Sequence, residues 1–237
     1  MIYITGDTHG SFERIEIFCN RFNTTKDDIL IILGDAGINF FGPKSKRDKL
    51  GKEFLNSLPI TLFCIHGNHE MRPNTISSYK LIDYKGGKVW VEDAYPNILF
   101  AKDGEIFDFE IDDKVYKTVV IGGAYSVDKD YRLSRGFPWF EDEQPSTEIK
   151  EYVEGQLESV GNKVDIVLSH TCPLKYEPVE WFLGFIDQSS VDKTTEKWLD
   201  NIEEHLEYKK WYCGHYHGSK KIDRLVFMFE DMDILKV

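Results

Sequence analysis

The chain has 237 residues, of which 41% are hydrophobic and 14% aromatic, and this length is compatible with one large α/β domain over residues 1–237. Its formal net charge of −12 disfavours extended nucleic acid and anionic membranes as partners, because a polyanion is normally bound by a basic surface. The four cysteines have no CxxC spacing, so neither a zinc knuckle nor a disulfide framework is indicated. The N-terminal residues contain no basic leader or long apolar run, and we expect a cytoplasmic protein that does not cross a membrane.

The first part of the chain alternates predicted strands and helices. The apolar runs IYIT and ILIIL predict strands that are covered on both faces, and SFERIEIFCNRF between them has apolar residues at helical spacing. A second helix is predicted over KSKRDKLGKEFLNSL and a third strand over ITLFCI. This order is typical of an α/β sheet.

The middle of the chain, from about residue 88 to 124, has a different pattern. Alternating apolar runs are broken by Asp-Gly and Asp-Asp, which predicts hairpins and a second, antiparallel element. The following stretch, GGAYSVDKDYRLSRGFPWFEDE, is predicted to be a long loop. Further on, helices are predicted over STEIKEYVEGQLESV and TTEKWLDNIEEHL, and strands over DIVLS, KKWYC, RLVFMF and DILKV. Together these elements predict a layered α/β sandwich.

Five of the predicted strands end in short polar signatures: GDTHG, GDAG, GNHE, SHTCP and GHYHG. Ligand sites in open α/β sheets lie beyond the carboxyl ends of the strands, so signatures that are distant in sequence can converge on one pocket. A lone histidine is more often a hydrogen-bonded structural residue than a ligand. A purely structural interpretation would have to explain all five histidines that lie in these signatures, out of seven in the chain: His9, His69, His170, His215 and His217.

The donor types in these signatures indicate a metal site. They combine carboxylate, amide and imidazole groups without thiolate, and there are more of them than one ion normally takes: Asp7, His9, Asp35, Asn68, His170, His215 and His217. We therefore expect two divalent ions. The mixture suits manganese, iron or zinc better than calcium, which prefers oxygen cages, and manganese is the first choice.

The arrangement resembles that of the calcineurin-like metallophosphoesterases, whose pattern is DxH, GDxxD, GNH[DE], a histidine after a later strand, and GHxH. The matching positions span nearly the whole chain: Asp7 and His9, Gly34 and Asp35, GNHE at 67–70, His170, and GHYH at 214–217. The resemblance implies a four-layer αββα sandwich with a dinuclear metal site at the carboxyl ends of the strands. It also implies that one ion is held by Asp7, His9 and His217 and the other by Asn68, His170 and His215, with Asp35 bridging the two.

The second motif departs from the GDxxDR of the phosphoprotein phosphatases in this superfamily. There an acid orients the histidine of GNHE and an arginine grips phosphate, whereas this chain has Ile38 and Asn39. Phosphoprotein phosphatase activity is therefore disfavoured, and a small phosphorylated substrate or a nucleotide is expected. Arg72, Arg132 and Arg135 are candidates for binding phosphate, although a solvated surface loop is the favoured interpretation of the segment that contains the last two, and Arg72 has a similar alternative.

The predicted activity is hydrolysis of a phosphoester bond by a hydroxide that bridges the two ions, since a pair of cations lowers the pKa of a shared water. Asp35 would be essential as the bridging ligand. His69, the non-ligand histidine of the family pattern, would protonate or stabilise the leaving oxygen.

Two alternatives remain at this point. One is a nuclease or nucleotide pyrophosphatase. The acidic charge disfavours long nucleic acid as its substrate but does not disfavour a small nucleotide. The other is a noncatalytic scaffold of the same fold, which is expected to have lost metal ligands, and this chain has lost none. The segment KYEPVEWFLGFIDQSS forms a lid or a surface that binds a partner, or its aromatic side chains only pack against the rest of the protein.

Overall fold

The computed structural model describes residues 1–237, which form five α-helices and thirteen β-strands. The helices are α1 (Glu13–Phe22), α2 (Lys46–Ser57), α3 (Lys129–Arg135), α4 (Thr147–Ser159) and α5 (Thr194–His205). The strands are β1 (Ile2–Thr5), β2 (Ile29–Ile32), β3 (Thr61–Cys64), β4 (Tyr79–Tyr84), β5 (Gly87–Glu92), β6 (Ile98–Ala101), β7 (Ile106–Ile111), β8 (Lys114–Ile121), β9 (Ile166–Ser169), β10 (Lys210–Cys213), β11 (Lys220–Ile222), β12 (Leu225–Phe227) and β13 (Met232–Ile234). Four short 3₁₀ helices lie in the connections.

The strands form two sheets with parallel centres and antiparallel edges. The first sheet has the order β13-β1-β2-β3-β6-β5-β4, in which β1, β2, β3 and β6 are parallel. The second has the order β11-β12-β10-β9-β8-β7, in which β8, β9, β10 and β12 are parallel. Parallel strands need covering on both faces, which explains the continuous apolar runs in the sequence.

Alternate residues of each strand face different layers. In β1, Ile2 and Ile4 join Phe107 in the apolar core between the two sheets, whereas Tyr3 packs edge to face on Phe18 of α1, with ring centroids 4.9 Å apart. A third core lies between the second sheet and helices α4 and α5. The order helix, sheet, sheet, helix confirms the predicted αββα sandwich.

The hairpin predicted at Asp-Asp is confirmed, because β7 and β8 pair antiparallel on either side of Asp112-Asp113. Two other predictions about the middle of the chain were wrong. The Asp103-Gly104 turn does not close a hairpin, because β6 pairs in parallel with β3 of the first sheet and β7 belongs to the second sheet. The predicted long loop contains helix α3. Strands β4 and β11 were not predicted. A local turn signal does not specify which sheet the next strand joins, since that depends on which apolar surface it covers.

The five polar signatures emerge at one edge of the two sheets. The last residues of β1, β2 and β3 lie side by side, with Thr5 opposite Ile32 and Ile32 opposite Cys64. In the second sheet Ser169 of β9 lies opposite Cys213 of β10. All four cysteines are buried and unpaired. None of the helices, of which the longest has 13 residues, could span a membrane.

Candidate metal centre

The turns after the strands hold four candidate ligands in an unusual backbone conformation. His9, Asp35, His215 and His217 have positive φ angles of 45°, 47°, 68° and 49°. This left-handed region is unfavourable for non-glycine residues and persists only where the surrounding structure enforces it. The rest of the fold therefore holds these side chains in position at a cost in backbone energy.

The glycines that precede candidate ligands make room for other ligands. A side chain at Gly34 would overlap the ring of His170, and one at Gly67 would overlap the Asp35 carboxylate. A side chain at Gly214 would overlap the carboxylate of Asp7. The glycines of the signatures thus allow the turns to approach one another closely.

Asp7, His9 and His217 form the first group of donors, with ligand atoms within 4.8 Å of one another. The Asp7 Oδ1 atom accepts a hydrogen bond from the backbone N–H of His215 at 2.8 Å. Its Oδ2 atom is buried without a hydrogen-bond partner and lies 3.6 Å from His9 Nε2 and 3.4 Å from His217 Nε2. The two Nε2 atoms are 2.8 Å apart.

Asn68, His170 and His215 form the second group. His170 donates through Nδ1 to the carbonyl oxygen of Leu33 at 2.7 Å, which orients the ring so that Nε2 is directed into this group. That atom faces the Asn68 Oδ1 atom at 2.8 Å. The rings of His170 and His215 are 5.0 Å apart between centroids. The candidate ligand atoms of His170 and Asn68 therefore point at one another, with the ring of His215 beside them.

The carboxylate of Asp35 lies between the two groups. Its Oδ2 atom is 3.8 Å from His9 Nε2 in the first group, and its Oδ1 atom is 3.7 Å from His170 Nε2 in the second. Oδ1 also accepts a hydrogen bond from the backbone N–H of His69 at 2.7 Å.

The protonation states of the buried donors suit a divalent cation. Burial alone would raise the pKa of Asp7, but the adjacent rings of His217 and His9 outweigh it and hold this pKa well below its usual range. Burial lowers the pKa of His215 to about 3. Carboxylate and neutral imidazole are the forms that bind metals. An unpartnered buried carboxylate oxygen and closely spaced candidate ligand atoms therefore fit cations at this edge.

His69 lies beside the cluster and is oriented differently from the family pattern. Ile38, at the place of the usual acid, is buried in the apolar core, and Asn39 donates through its amide to the hydroxyl of Tyr79 at 2.9 Å. Asp128 instead approaches His69, with Oδ1 3.8 Å from Nε2. Sequence reasoning missed Asp128, because it belongs to no motif and follows a different strand.

The β8–α4 loop, residues 122–146, also supports Asn68. The Asn68 amide donates to Ser126 Oγ at 2.9 Å, and this hydroxyl donates to Glu143 Oε2 at 2.5 Å. Glu143 Oε1 accepts from the backbone N–H of Ser126 at 3.0 Å, and Trp139 Nε1 donates to Glu143 Oε2 at 2.9 Å. These contacts turn the Asn68 oxygen towards His170. The only sequence signal for them was a polar loop after a buried strand.

The three arginines proposed for phosphate binding lie outside the cavity that adjoins the cluster. Arg72 is buried and donates to Asp103 Oδ2 at 2.6 Å, and Arg132 is buried and donates to Ser126 Oγ at 3.1 Å. Arg135 is exposed at the end of α3. The guanidinium groups of Arg72 and Arg132 are used in part by protein acceptors, and each keeps a buried Nη2 atom without a partner. None of the three arginines lines the cavity, and their contact with phosphate stays a prediction.

The remaining two histidines belong to neither donor group. His66 is buried in the structure, and burial lowers its pKa well below the usual range, which keeps it neutral. His205 is exposed at the end of α5, where Nδ1 lies 2.8 Å from the Asn201 carbonyl oxygen. Both placements agree with a structural or exposed role.

Comparison with known proteins identifies the family. The protein TT1561 of Thermus thermophilus is 12% identical in sequence, with 96% of this chain and 87% of that chain covered and a TM-score of 0.50, and this likeness concerns the fold alone. A structure described as a novel archaeal phosphodiesterase is also 12% identical, with 96% and 81% covered and a TM-score of 0.37. The search of curated proteins found no match. The sequence model of the calcineurin-like phosphoesterases matches residues 1–230, and the chain therefore belongs to this family.

Proposed function

We propose that the protein hydrolyses phosphoester bonds of small substrates at a centre of two divalent ions. The observation that carries the proposal is the pair of groups of candidate ligand atoms, each with two such atoms 2.8 Å apart, on either side of Asp35. Asp7, His9 and His217 would hold one ion, and Asn68, His170 and His215 the other, with Asp35 serving both. Oxygen and imidazole donors without thiolate favour manganese, with iron or zinc as alternatives.

When bound, two such ions would neutralise charge on a phosphoryl group and lower the pKa of an attacking water. His69 would move a proton at Nε2 to the leaving oxygen. Its ring is largely shielded, and burial lowers its pKa even though Asp35 acts in the opposite direction. The stacked ring of Phe40, with centroids 6.4 Å apart, limits the orientations that His69 can adopt.

The environment of His69 also supports a small substrate over a phosphoprotein. Ile38 and Asn39 supply neither the acid nor the arginine on which the phosphoprotein phosphatases of the superfamily depend, and both side chains are buried in the structure. We therefore expect turnover of small phosphomonoesters, phosphodiesters or nucleotides to exceed that of phosphoserine proteins. Efficient and selective dephosphorylation of folded phosphoproteins would contradict this expectation.

The test is a metal analysis combined with an activity screen. The protein is stripped of metal with a chelator, reloaded separately with manganese, iron or zinc, and analysed for bound metal. Each preparation is then assayed with phosphomonoesters, phosphodiesters, nucleotides and phosphoserine proteins. We expect close to two ions per chain and hydrolysis of at least one small phosphoester. His205→Asn is the matched control, because this exposed histidine lies outside both donor groups. Protein that holds no stoichiometric metal after reloading would overturn the proposal.

A further inference from the structure

A cavity of about 740 Å³ opens directly beside the candidate metal centre. One side is formed by the centre itself, including Asn68, His69 and His215. The other side is formed by the β9–α5 segment, residues 170–193, and by the start of the β8–α4 loop. The volume lies within the roughly 300 to 1,000 Å³ that is typical of small-molecule sites. The cavity is much larger than a phosphoryl group needs.

The wall nearest the centre is a continuous row of aromatic rings. Tyr216 contacts the candidate ligand His215, with ring centroids 5.0 Å apart. Phe182 of the β9–α5 segment lies nearly parallel to Tyr216, at 6.3 Å and 18°. Trp181 packs so closely on Gly218 that a side chain at this glycine would overlap the indole ring. The apolar surface therefore begins at the metal centre and extends outwards from it.

Contacts with neighbouring side chains hold this wall in place. The hydroxyl of Tyr216 lies 3.1 Å from Thr171 Oγ1, and Trp181 packs edge to face on Phe227 at 5.7 Å. The ammonium of Lys193 lies 4.9 Å from the centre of the Phe182 ring. The wall is thus formed before any substrate binds, which lowers the entropic cost of binding.

The charges around the cavity exclude a second anionic group. Apart from Asp35 of the metal centre, four carboxyl side chains line it, from Asp128, Glu177, Asp192 and Glu196, against the single ammonium of Lys193. Burial raises the pKa of Glu196 to about 7, so the excess negative charge comes chiefly from Asp128 and Asp192. Lys193 is already paired with Glu177 at 2.6 Å. A carboxylate or second phosphate in this space would meet an excess of negative charge without a free cationic partner.

We infer that this cavity binds the alcohol portion of the substrate, and that this portion is a large aromatic group without negative charge. The inference rests on the proposed function, because the phosphoryl group is taken to lie at the metal centre. Trp181 and Phe182 then determine specificity by contact with the aromatic group, and the surrounding carboxylates reject anionic alternatives.

The test compares primary alkyl esters whose alcohols have similar basicity, so that differences report on the cavity. Manganese-loaded protein is assayed with three phosphates: ethyl phosphate, 2-phenylethyl phosphate and 2-(4-carboxyphenyl)ethyl phosphate. Each is used both as the monoester and as the methyl diester. We expect kcat/KM for the phenylethyl ester to exceed that for the ethyl ester by about 10- to 100-fold, the usual range for filling an apolar pocket. The added carboxylate should remove most of this advantage. Binding of 2-phenylethylphosphonate and ethylphosphonate, measured by calorimetry, should show the same order without any reaction.

The variants Phe182→Ala and Phe182→Leu assign the preference to the wall. Phe182→Ala should reduce the phenylethyl preference mainly through KM, and Phe182→Leu should retain part of it while guarding against a folding defect. Phe185→Ala is the matched control, because this side chain is in the same segment but 81% exposed and does not line the cavity. Equal kcat/KM for the ethyl and phenylethyl esters, or no loss with Phe182→Ala, would overturn the inference while leaving phosphoester hydrolysis intact. Failure to hydrolyse any ester, combined with no bound metal, would instead contradict the proposed function.

Discussion

The two sides of the cavity are built in opposite ways. The metal side consists of short turns that follow directly on buried strands, with positive φ angles at His9, Asp35, His215 and His217 and nearly complete burial of Asp7 and His170. The other side consists of the β8–α4 loop and the β9–α5 segment, which expose large apolar side chains such as Leu133, Leu183 and Phe185. Strained short turns position atoms precisely, whereas long connections provide surface that can vary without disturbing those atoms.

The comparison predicts that changes on the metal side affect all substrates and that changes on the other side affect only some. Substitutions in the turns should alter metal content and turnover together. Substitutions in the long connections should alter selectivity, except where a connection contacts a candidate ligand. The β8–α4 loop has one such contact, between Ser126 and Asn68.

The largest effect is expected for Asp35→Asn. Loss of the charge between the two donor groups should weaken both ions and reduce activity by more than the roughly 10- to 100-fold that loss of an outer-shell partner costs. His217→Ala should chiefly weaken one ion. Metal content by elemental analysis and kcat/KM on one aryl ester provide the measurements. Full occupancy and activity in Asp35→Asn would show that this carboxylate does not serve both ions.

The next effect concerns His69, which lies on the metal side without belonging to either donor group. General acid catalysis typically contributes about 10²- to 10⁴-fold and matters most for a strongly basic leaving oxygen. We expect His69→Asn to reduce turnover of an alkyl ester far more than that of a nitrophenyl ester, while metal content remains normal. Because Asp128 is 3.8 Å from Nε2 and Ile38 supplies no acid, the loss should fall towards the lower end of that range. Equal losses on both esters would assign His69 to positioning of phosphate or water.

A smaller effect is expected where the two sides meet, at Ser126. Removal of its hydroxyl in Ser126→Ala leaves the Asn68 amide without its acceptor, and metal affinity should fall by about 10- to 100-fold. A chelator competition assay measures this affinity directly. Ser134→Ala is the matched control, since this hydroxyl is in the same loop but bonds only to the Tyr131 carbonyl. An unchanged affinity in Ser126→Ala would show that the loop does not orient Asn68.

A separate effect on the cavity side concerns stability and not activity. Burial raises the pKa of Glu196 from its usual 4.5 to about 7, so folding favours the protonated form. The stability contributed by this group is present below pH 4.5 and is lost as the pH rises through 7. Glutamine resembles the protonated form at every pH. The free energy of unfolding of metal-free Glu196→Gln, relative to that of the unsubstituted protein, should therefore be higher at pH 8.5 than at pH 4.5, by at most about 3 kcal/mol.

Urea unfolding at the two pH values measures this difference in the free energy of unfolding. Glu203→Gln on the same helix is a control of opposite sign. Burial alone would raise the pKa of Glu203, but hydrogen bonds from Lys175 and Tyr208 hold it below its usual value. Its contribution is therefore present above pH 4.5 and lost as the pH falls. If stability changed with pH in the same direction in both variants, the opposite pKa shifts assigned to Glu196 and Glu203 would be contradicted.

The sequence alone was sufficient for the features that depend on local structure. A buried strand followed by a tight polar turn leaves a recognisable pattern, because the apolar run and the glycine are adjacent along the chain. Parallel strands also place their carboxyl ends at one edge, so the convergence of the seven candidate ligands could be predicted before their distances were known. The four-layer fold followed from the resemblance that these signatures carry.

Only the tertiary structure decided the features that depend on distant contacts. Asn68 and Ser126 are 58 residues apart in sequence, and Asp128 reaches His69 from another strand, so no motif records either contact. The same holds for β6 and β7, which an Asp-Gly turn connects but which lie in different sheets. The arginines appeared available for phosphate in the sequence, whereas folding pairs Arg72 with Asp103 and Arg132 with Ser126. Local patterns specify which groups a turn presents, and long-range packing specifies which of those groups are already occupied by protein partners.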